Sequence, residues 1–235
     1  DPADDVVERI RSTGGVAIAN YDDVAEMTGG ESVVHKALDK FGRLDVLVNS
    51  ASVRIDRLIH EMSPEQFDLV LRNNLKGTFT PTKYASIWFR KQRGGRIVNM
   101  INGAGLGVIG SANFSMASEA IVGLTRSVAR DLGKYGVTCN AISPIAKTRL
   151  FPDGESGSGP GEGILFGSPD KWESIGKFGD PGNVAPLTAL LCTDILPNVN
   201  GRVFGASGGS VWLYSEPIIE SSIHKWGTFT IDEID

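Results

Sequence analysis

The sequence is short of cysteine, histidine and positive charge. Only two cysteines, Cys139 and Cys192, and three histidines occur in 235 residues. The cysteines lie far apart, each in an apolar stretch, so neither a disulfide framework nor a zinc site is expected. Buried thiols in a reducing cytoplasm are the expectation. His35, His60 and His224 are remote from one another and from the cysteines, which argues against a metal centre. No apolar run approaches the ~18 residues of a membrane span. The acidic start, Asp1-Pro2-Ala3-Asp4-Asp5, carries no basic region of a signal peptide. Lys and Arg number 23 against 28 Asp and Glu, a net charge of −5. Neither nucleic acid nor an anionic membrane is therefore an expected partner.

What is present is the composition of a globular domain. Hydrophobic residues at 41% and charged residues at 22% argue against disorder. The length suits one domain with a single core. Short β-branched runs alternate with stretches of helical period. Candidate strands are Gly15–Asn20, Leu44–Asn49, Arg96–Ile101, Val137–Ile142 and Gly201–Gly205. Between them, Val33, Val34, Ala37, Leu38 and Phe41 mark one face of a helix over residues 30–41. Ser63-Pro64-Glu65-Gln66 is a helix start, with Ser63 as N-cap, Pro64 in the first turn and Gln66 as capping-box partner. That helix should run to about Lys91 with an interruption near Gly77. Another spans 112–132, and Asp180-Pro181 opens a last one. Residues 152–170 are crowded with Gly, Ser and Pro and read as a loop. The strands are continuous apolar runs rather than alternating ones. Both sheet faces should therefore be covered, which implies an α/β fold with a parallel sheet and right-handed crossovers.

Several segments, in this order, resemble the short-chain dehydrogenase/reductase family. They are Leu47-Val48-Asn49-Ser50-Ala51, Asn74-Leu75-Lys76-Gly77-Thr78-Phe79, Gly95–Asn99, Tyr135–Pro144, Pro181–Ala185 and Gly201–Phe204. The resemblance covers residues 3 to about 210. It implies a Rossmann-like, doubly wound parallel sheet, with 211–235 as a C-terminal extension packing on the domain or on a neighbouring subunit. Other segments are similar to bacterial and peroxisomal hydroxyacyl-CoA dehydrogenases, which implies an acyl-CoA pathway.

The family moves hydride between a nicotinamide cofactor and an alcohol or carbonyl. It uses a Tyr acid, a Lys one helical turn on, a Ser that holds the carbonyl, and an Asn that helps order a relay water. On this chain the Tyr position falls on Phe114, the Lys position on Ser118 and the Ser position on or beside Asn102, while Asn74 is retained. Phe114 has no proton to give and Ser118 no positive charge. The family's first strand and Gly-rich turn, which cradle the dinucleotide phosphates, should precede residue 1, and nothing in the sequence replaces them. Asp23-Val24 resembles the adenine-side pair but cannot hold a dinucleotide without that turn. A sheet lacking its central first strand would have an open edge. Either an upstream segment has been lost, or Val16–Asn20 moves in, or a partner covers it.

Two further motifs have ordinary explanations. Gly105-Leu106-Gly107-Val108-Ile109-Gly110 matches GxGxxG, but no acidic residue ends the next strand to hold a ribose. Gly205-Ala206-Ser207-Gly208-Gly209 matches GxSxG, but Val211–Tyr214 looks extended where a nucleophile elbow needs a helix.

The expectation is a catalytically inactive subunit. It binds no cofactor or metal and assembles with a homologous active dehydrogenase that carries NAD. The resemblance implies pairing through helices 64–91 and 112–134. Ile121, Leu124, Val128 and Leu132 form one apolar side of the second helix, and Met116, Ala120, Gly123 and Ser127 form another packable side. Within the family, the pattern of losses is similar to inactive subunits of anaerobic aromatic catabolism. The alternatives are a non-redox lyase, isomerase or cyclase using the pocket around Asn74, Asn102, Phe114 and Ser118, or a truncated ordinary dehydrogenase.

Overall fold

A computed structural model describes residues 1–101, 107–150 and 179–234. The expected loop at 152–170 lies outside the described residues. The elements in chain order are α1 (Pro2–Ser12), α2 (Met27–Phe41), β1 (Val46–Asn49), α3 (Pro64–Val70), a π-helical turn (Leu71–Lys76) and α4 (Gly77–Gln92). They continue with β2 (Gly95–Met100), α5 (Ala112–Gly133), β3 (Val137–Pro144), a 3-10 turn (Pro181–Val184), α6 (Ala185–Leu191), β4 (Val203–Ser207) and β5 (Ser210–Leu213). The sheet order is β1-β2-β3-β4-β5. The first three pairs are parallel and the last is antiparallel. This is the Rossmann-like parallel α/β architecture.

The continuous apolar strands follow from burial on both faces. Ile97 of β2 joins Val34 of α2, Phe89 of α4 and Leu132 of α5 on one face. Its neighbour Val98 joins Ile142 of β3 and Leu187 and Leu191 of α6 on the other. Ser63 caps α3: its hydroxyl accepts from Gln66 N–H at 3.3 Å, and Gln66 Oε1 accepts from Ser63 N–H at 3.1 Å.

Several expectations need correction. Gly15–Asn20 forms no strand, and Val16 is largely exposed. The segment lies against α1, where the Arg11 guanidinium donates to the Ala17 carbonyl at 2.9 Å and the Tyr21 hydroxyl bonds Asp4. Val16–Asn20 therefore does not move in beside β1. Helix α1 was not anticipated, although Asp1 is its N-cap, accepting from Ala3 N–H at 2.9 Å, and Pro2 sits in its first turn. Read as a block of charge, those residues concealed a helix start.

The interruption expected near Gly77 in the helix over 64–91 is present, as a π turn that joins two helices. Pro81 lacks the N–H that would return to the Gly77 carbonyl, so the helical ladder is weakened where the irregular turn meets α4. The helix opened by Asp180-Pro181 begins as a 3-10 turn.

Among the described residues, no strand pairs with the edge of β1 opposite β2, and Val48 is 41% exposed. At the other edge, β5 turns back on β4. Trp212 lies over Gly205, where an added Cβ would come within 1.8 Å of the indole. Beyond β5, Glu216 is ion-paired with Arg126 and Arg202 at 3.0 and 3.4 Å. Ile218, Ile219 and Trp226 then stand in solvent. No helix among the described residues is long and apolar enough to cross a membrane.

Candidate active site

A cavity of about 170 Å³ lies at the carboxyl edge of the sheet and brings together Asn74, Phe114 and Ser118. Its walls come from the segment after β1 (Ser50–Ser52), the end of β2 (Met100), the first turns of α5 and the segment after β3 (Ala146, Thr148, Leu150). Each wall follows a parallel strand, and strand ends in such sheets are where ligands sit.

Asn74 belongs to the π turn and is buried. π turns occur frequently at functional positions. Both ends of its carboxamide clamp one residue: Oδ1 accepts from Val53 N–H at 2.8 Å, and Nδ2 donates to the Val53 carbonyl at 3.0 Å. The clamp fixes the loop after β1 over the pocket. The Asn74 backbone carbonyl accepts from the Thr78 hydroxyl at 2.7 Å.

Phe114 is 4% exposed and packs with Val70, Ala117, Ile55 and Leu75, so its ring is part of a small core as well as of the pocket wall. Ser118 is also 4% exposed and lines the same cavity one turn further along α5. No charged side chain lines the cavity among the described residues. An acid–base step needs a proton donor of suitable pKa within reach, and neither of these two positions supplies one. Asn102, the position expected to hold a carbonyl, lies outside the described residues.

The sequence reading missed the side chains that pin the pocket's roof. Asn113 is wholly buried. Its Nδ2 donates to the Ile55 and Gln66 carbonyls at 3.2 and 3.3 Å, and its Oδ1 accepts from Phe114 N–H at 2.7 Å. Asp56 Oδ1 accepts from Arg54 Nε at 3.0 Å and from the Ser111 hydroxyl at 2.8 Å, while Asp56 Oδ2 pairs with Arg54 at 2.7 Å. An Asn and a Ser at the start of a helix are capping types, and that was the available signal.

The helix starts test whether these residues fit a nicotinamide dinucleotide. A pyrophosphate needs free N–H groups at a helix N-terminus. The first turn of α3 is taken by Ser63 and Gln66. At α5 the Phe114 N–H is taken by Asn113. The turn at Pro181 is taken by Asp180, which accepts from Gly182 N–H at 2.7 Å. Glu26 stands at the start of α2, where its carboxylate opposes an anion. Asp23 holds Arg72 at 2.7 Å, and this bond keeps its carboxyl below the usual range. The described residues therefore do not fit the phosphates of a dinucleotide.

The two glycine motifs behave as chain turns. In the first, Gly105 and Leu106 lie outside the described residues. Gly107 and Gly110 have φ of 99° and 76°, and the Gly110 carbonyl accepts from Arg57 N–H at 2.7 Å. In the second, Ser207 pairs with Ser210 across a tight hairpin, with no helix after it. No group of His, Cys, Asp and Glu suited to a metal ion occurs among the described residues. Cys139 is buried, and burial pushes its thiol up to about 12.

A parallel sheet with a pocket at its carboxyl edge, walled by the loop after β1 and the start of α5, defines a Rossmann-like α/β domain. The family profile described as Enoyl-(Acyl carrier protein) reductase matches residues 1–210, and the chain belongs to the short-chain dehydrogenase/reductase family. It is 37% identical over 210 residues to a putative short-chain type dehydrogenase/reductase of Mycobacterium tuberculosis, covering 89% of this chain and 68% of that protein. It is 33% identical over 241 residues to hydroxyacyl-CoA dehydrogenase ChsB1 of the same organism, covering 96% and 72%. Against the peroxisomal hydratase-dehydrogenase-epimerase of Neurospora crassa it is 34% identical over 210 residues, and it spans only 21% of that protein's length. The crystal structure of a short chain dehydrogenase from Mycobacterium avium superposes with a TM-score of 0.81 at 31% identity, covering 98% of this chain and 75% of that one.

Proposed function

We propose that this chain is a non-catalytic subunit of a short-chain dehydrogenase assembly. A homologous active subunit binds NAD and transfers hydride, and this chain stabilises that subunit or shapes its surroundings. The observation that carries the reading is the pair Phe114 and Ser118. The two positions where the family places its acid and its cation face the cavity with a phenyl ring and a neutral hydroxyl. The occupied helix starts add to it. Similarity to a hydroxyacyl-CoA dehydrogenase supports a CoA thioester as the partner's substrate. The pattern of losses is similar to the inactive subunit of the dehydrogenase acting on 2-[hydroxy(phenyl)methyl]-succinyl-CoA in anaerobic toluene breakdown.

The proposed contact is the outer side of α3, the π turn, α4 and α5. A hollow there is walled by Leu71, Leu75, Phe79 and Leu124, with Asp68, Arg72 and Lys76 also lining it. Phe79 and Met116 stand 43% and 52% exposed beside the exposed Gly123. The deciding experiment is the native mass of the purified assembly, with every chain in it identified. A stable wild-type monomer that gains no partner from its source overturns the reading, as does hydride transfer by this chain alone.

A further inference from the structure

We infer that a cleft at the amino edge of the sheet, lined by Arg43, Arg93 and Arg96, is a site for a soluble ligand bearing a phosphate or pyrophosphate group. It lies at the opposite end of the strands from the cavity at Phe114 and Ser118, and it stands independently of the non-catalytic reading.

The cleft is built where chain segments enter the sheet. Arg43 and Asp45 precede β1, residues 92–96 lead from α4 into β2, Gly136 precedes β3, and residues 192–194 follow α6. They line a cavity of about 530 Å³, within the ordinary range of small-molecule sites. Arg96 is its fixed point. This side chain is buried, with Nε donating to the Thr193 carbonyl at 3.1 Å and Nη1 to the Gly95 and Gly136 carbonyls at 2.9 and 2.8 Å. A guanidinium held in this way is set in place before any ligand arrives. Its Nη2 reaches Asp194 at 2.7 Å, but the Asp194 side chain is 94% exposed, so water screens that pair.

Backbone strain is the second argument. Among the described residues Arg93 is the one non-glycine with a positive φ, at 56°. It ends α4 in the left-handed conformation, a position that favours glycine, and Gly94 follows it directly. Cations in the last turns of α2, α4 and α5, such as Lys40, Lys91 and Arg130, complement the helix dipoles without strain. Arg93 gains little of that kind, since its Nη2 meets the Lys134 carbonyl only at 3.5 Å. Strained residues of this sort gather at ligand clamps, and the side chain delivered here lines the cleft.

Charge sets the ligand class. Guanidinium forks match the oxygens of carboxylates and phosphates. Asp45 and Asp194 already bring single carboxylates to Arg43 and Arg96. A ligand that displaces Asp194 therefore needs more than one negative charge, which a phosphate or pyrophosphate supplies.

The test uses the purified protein in its native assembly, in magnesium-free buffer at constant ionic strength, with pyrophosphate and acetate as probes. Calorimetry should give pyrophosphate a dissociation constant near or below ~1 mM, with acetate at least about tenfold weaker because it only matches the resident carboxylate. Pyrophosphate should also slow alkylation of Cys192, which lines the same cleft. Arg93→Asn should weaken pyrophosphate binding about tenfold or more, the loss of one charge-assisted contact. Its urea midpoint should stay level or rise, because Asn accepts the left-handed conformation. Asp194→Asn should tighten binding at least about twofold. No pyrophosphate binding, equal binding of acetate, unaltered alkylation of Cys192 at saturating pyrophosphate, wild-type affinity in Arg93→Asn or weaker binding in Asp194→Asn would overturn the inference. So would a lowered midpoint in Arg93→Asn, which assigns the guanidinium to holding the fold. None of these readouts involves hydride transfer, so failure here leaves the non-catalytic reading where it stands.

Discussion

Asn49 of β1 donates from Nδ2 to Oδ1 of Asn99 of β2 across 2.8 Å, at a level of the sheet where both side chains are almost completely buried. Asn49 also reaches the Thr82 hydroxyl at 2.9 Å. Asn99 passes the chain on to the Thr125 hydroxyl at 2.9 Å and to Cys139 Sγ at 3.6 Å. The network therefore ties two strands to α4 and α5 beneath the pocket floor. Buried amides are tolerated there because each has partners.

Replacing Asn99 by Leu should remove one of the two partners of the buried Asn49 amide, leaving it the Thr82 hydroxyl alone. The expected cost is about 1–3 kcal/mol, read as a lower urea midpoint with an unchanged slope. A midpoint equal to that of the wild type would mean that the network contributes nothing to stability.

Restoring the family's groups at two positions should not restore chemistry. The double substitution Phe114→Tyr with Ser118→Lys leaves the described helix starts occupied, and on the proposed non-catalytic reading this chain holds no hydride carrier to use the proton. The expectation is no NADH-dependent turnover above background by this chain alone. By contrast, Phe114→Ala should cost about 3–5 kcal/mol of stability, because the ring is packed against Val70 and Ala117.

The thiols should react unequally. Burial raises both, Cys139 to about 12 and Cys192 less. At pH 8 the Cys139 thiol therefore stays almost wholly protonated, and the thiolate is the reactive form. Iodoacetamide should therefore label Cys192 first in the native protein, with both sites labelled after unfolding. Peptide mass mapping reads the order, and early label on Cys139 would contradict its burial.

Assembly should depend on the bare side of α5. An added Cβ at Gly123 meets nothing within 4 Å, so Gly123→Glu leaves the isolated fold intact. In a subunit contact the same carboxylate would be buried without a partner, at a cost of about 3–5 kcal/mol. Sedimentation at micromolar concentration should show the complex dissociating for Gly123→Glu but not for Lys134→Glu. Identical behaviour of the two variants would remove this face from the interface.

The acidic pair beside the π turn gives a pH dependence of known sign. Arg72 bonds Asp23 and Glu26 at 2.7 and 2.6 Å, and these bonds lower both carboxyls from their ordinary values of 3.8 and 4.5. Their contribution is complete above those ordinary values and is lost as the pH falls through the lowered ones. In Arg72→Met, carboxyl NMR titration should return both groups toward the ordinary range. Both groups are solvent-exposed, so the change in stability should be small.

The sequence by itself determined the layering, because its strands are apolar on both faces and its helix starts carry local chemistry. Ser63, Pro64 and Gln66 specify the start of α3 whatever surrounds them. That Phe114 and Ser118 lie one helical turn apart was equally legible, and the structure places both on one cavity wall. Only the tertiary structure decided the rest. Val16–Asn20 has strand-like composition, yet its pairing depends on a distant neighbour, and its bonds go to α1 instead. The interruption near Gly77 was legible, but its form as a π turn that turns Asn74 onto Val53 was not, because it depends on how the two helical segments pack. The described lining of the cavity, in which no side chain is charged, is assembled only when residues from the ends of β1, β2 and β3 are brought to one edge. Long-range packing sets that edge, and no window of sequence contains it.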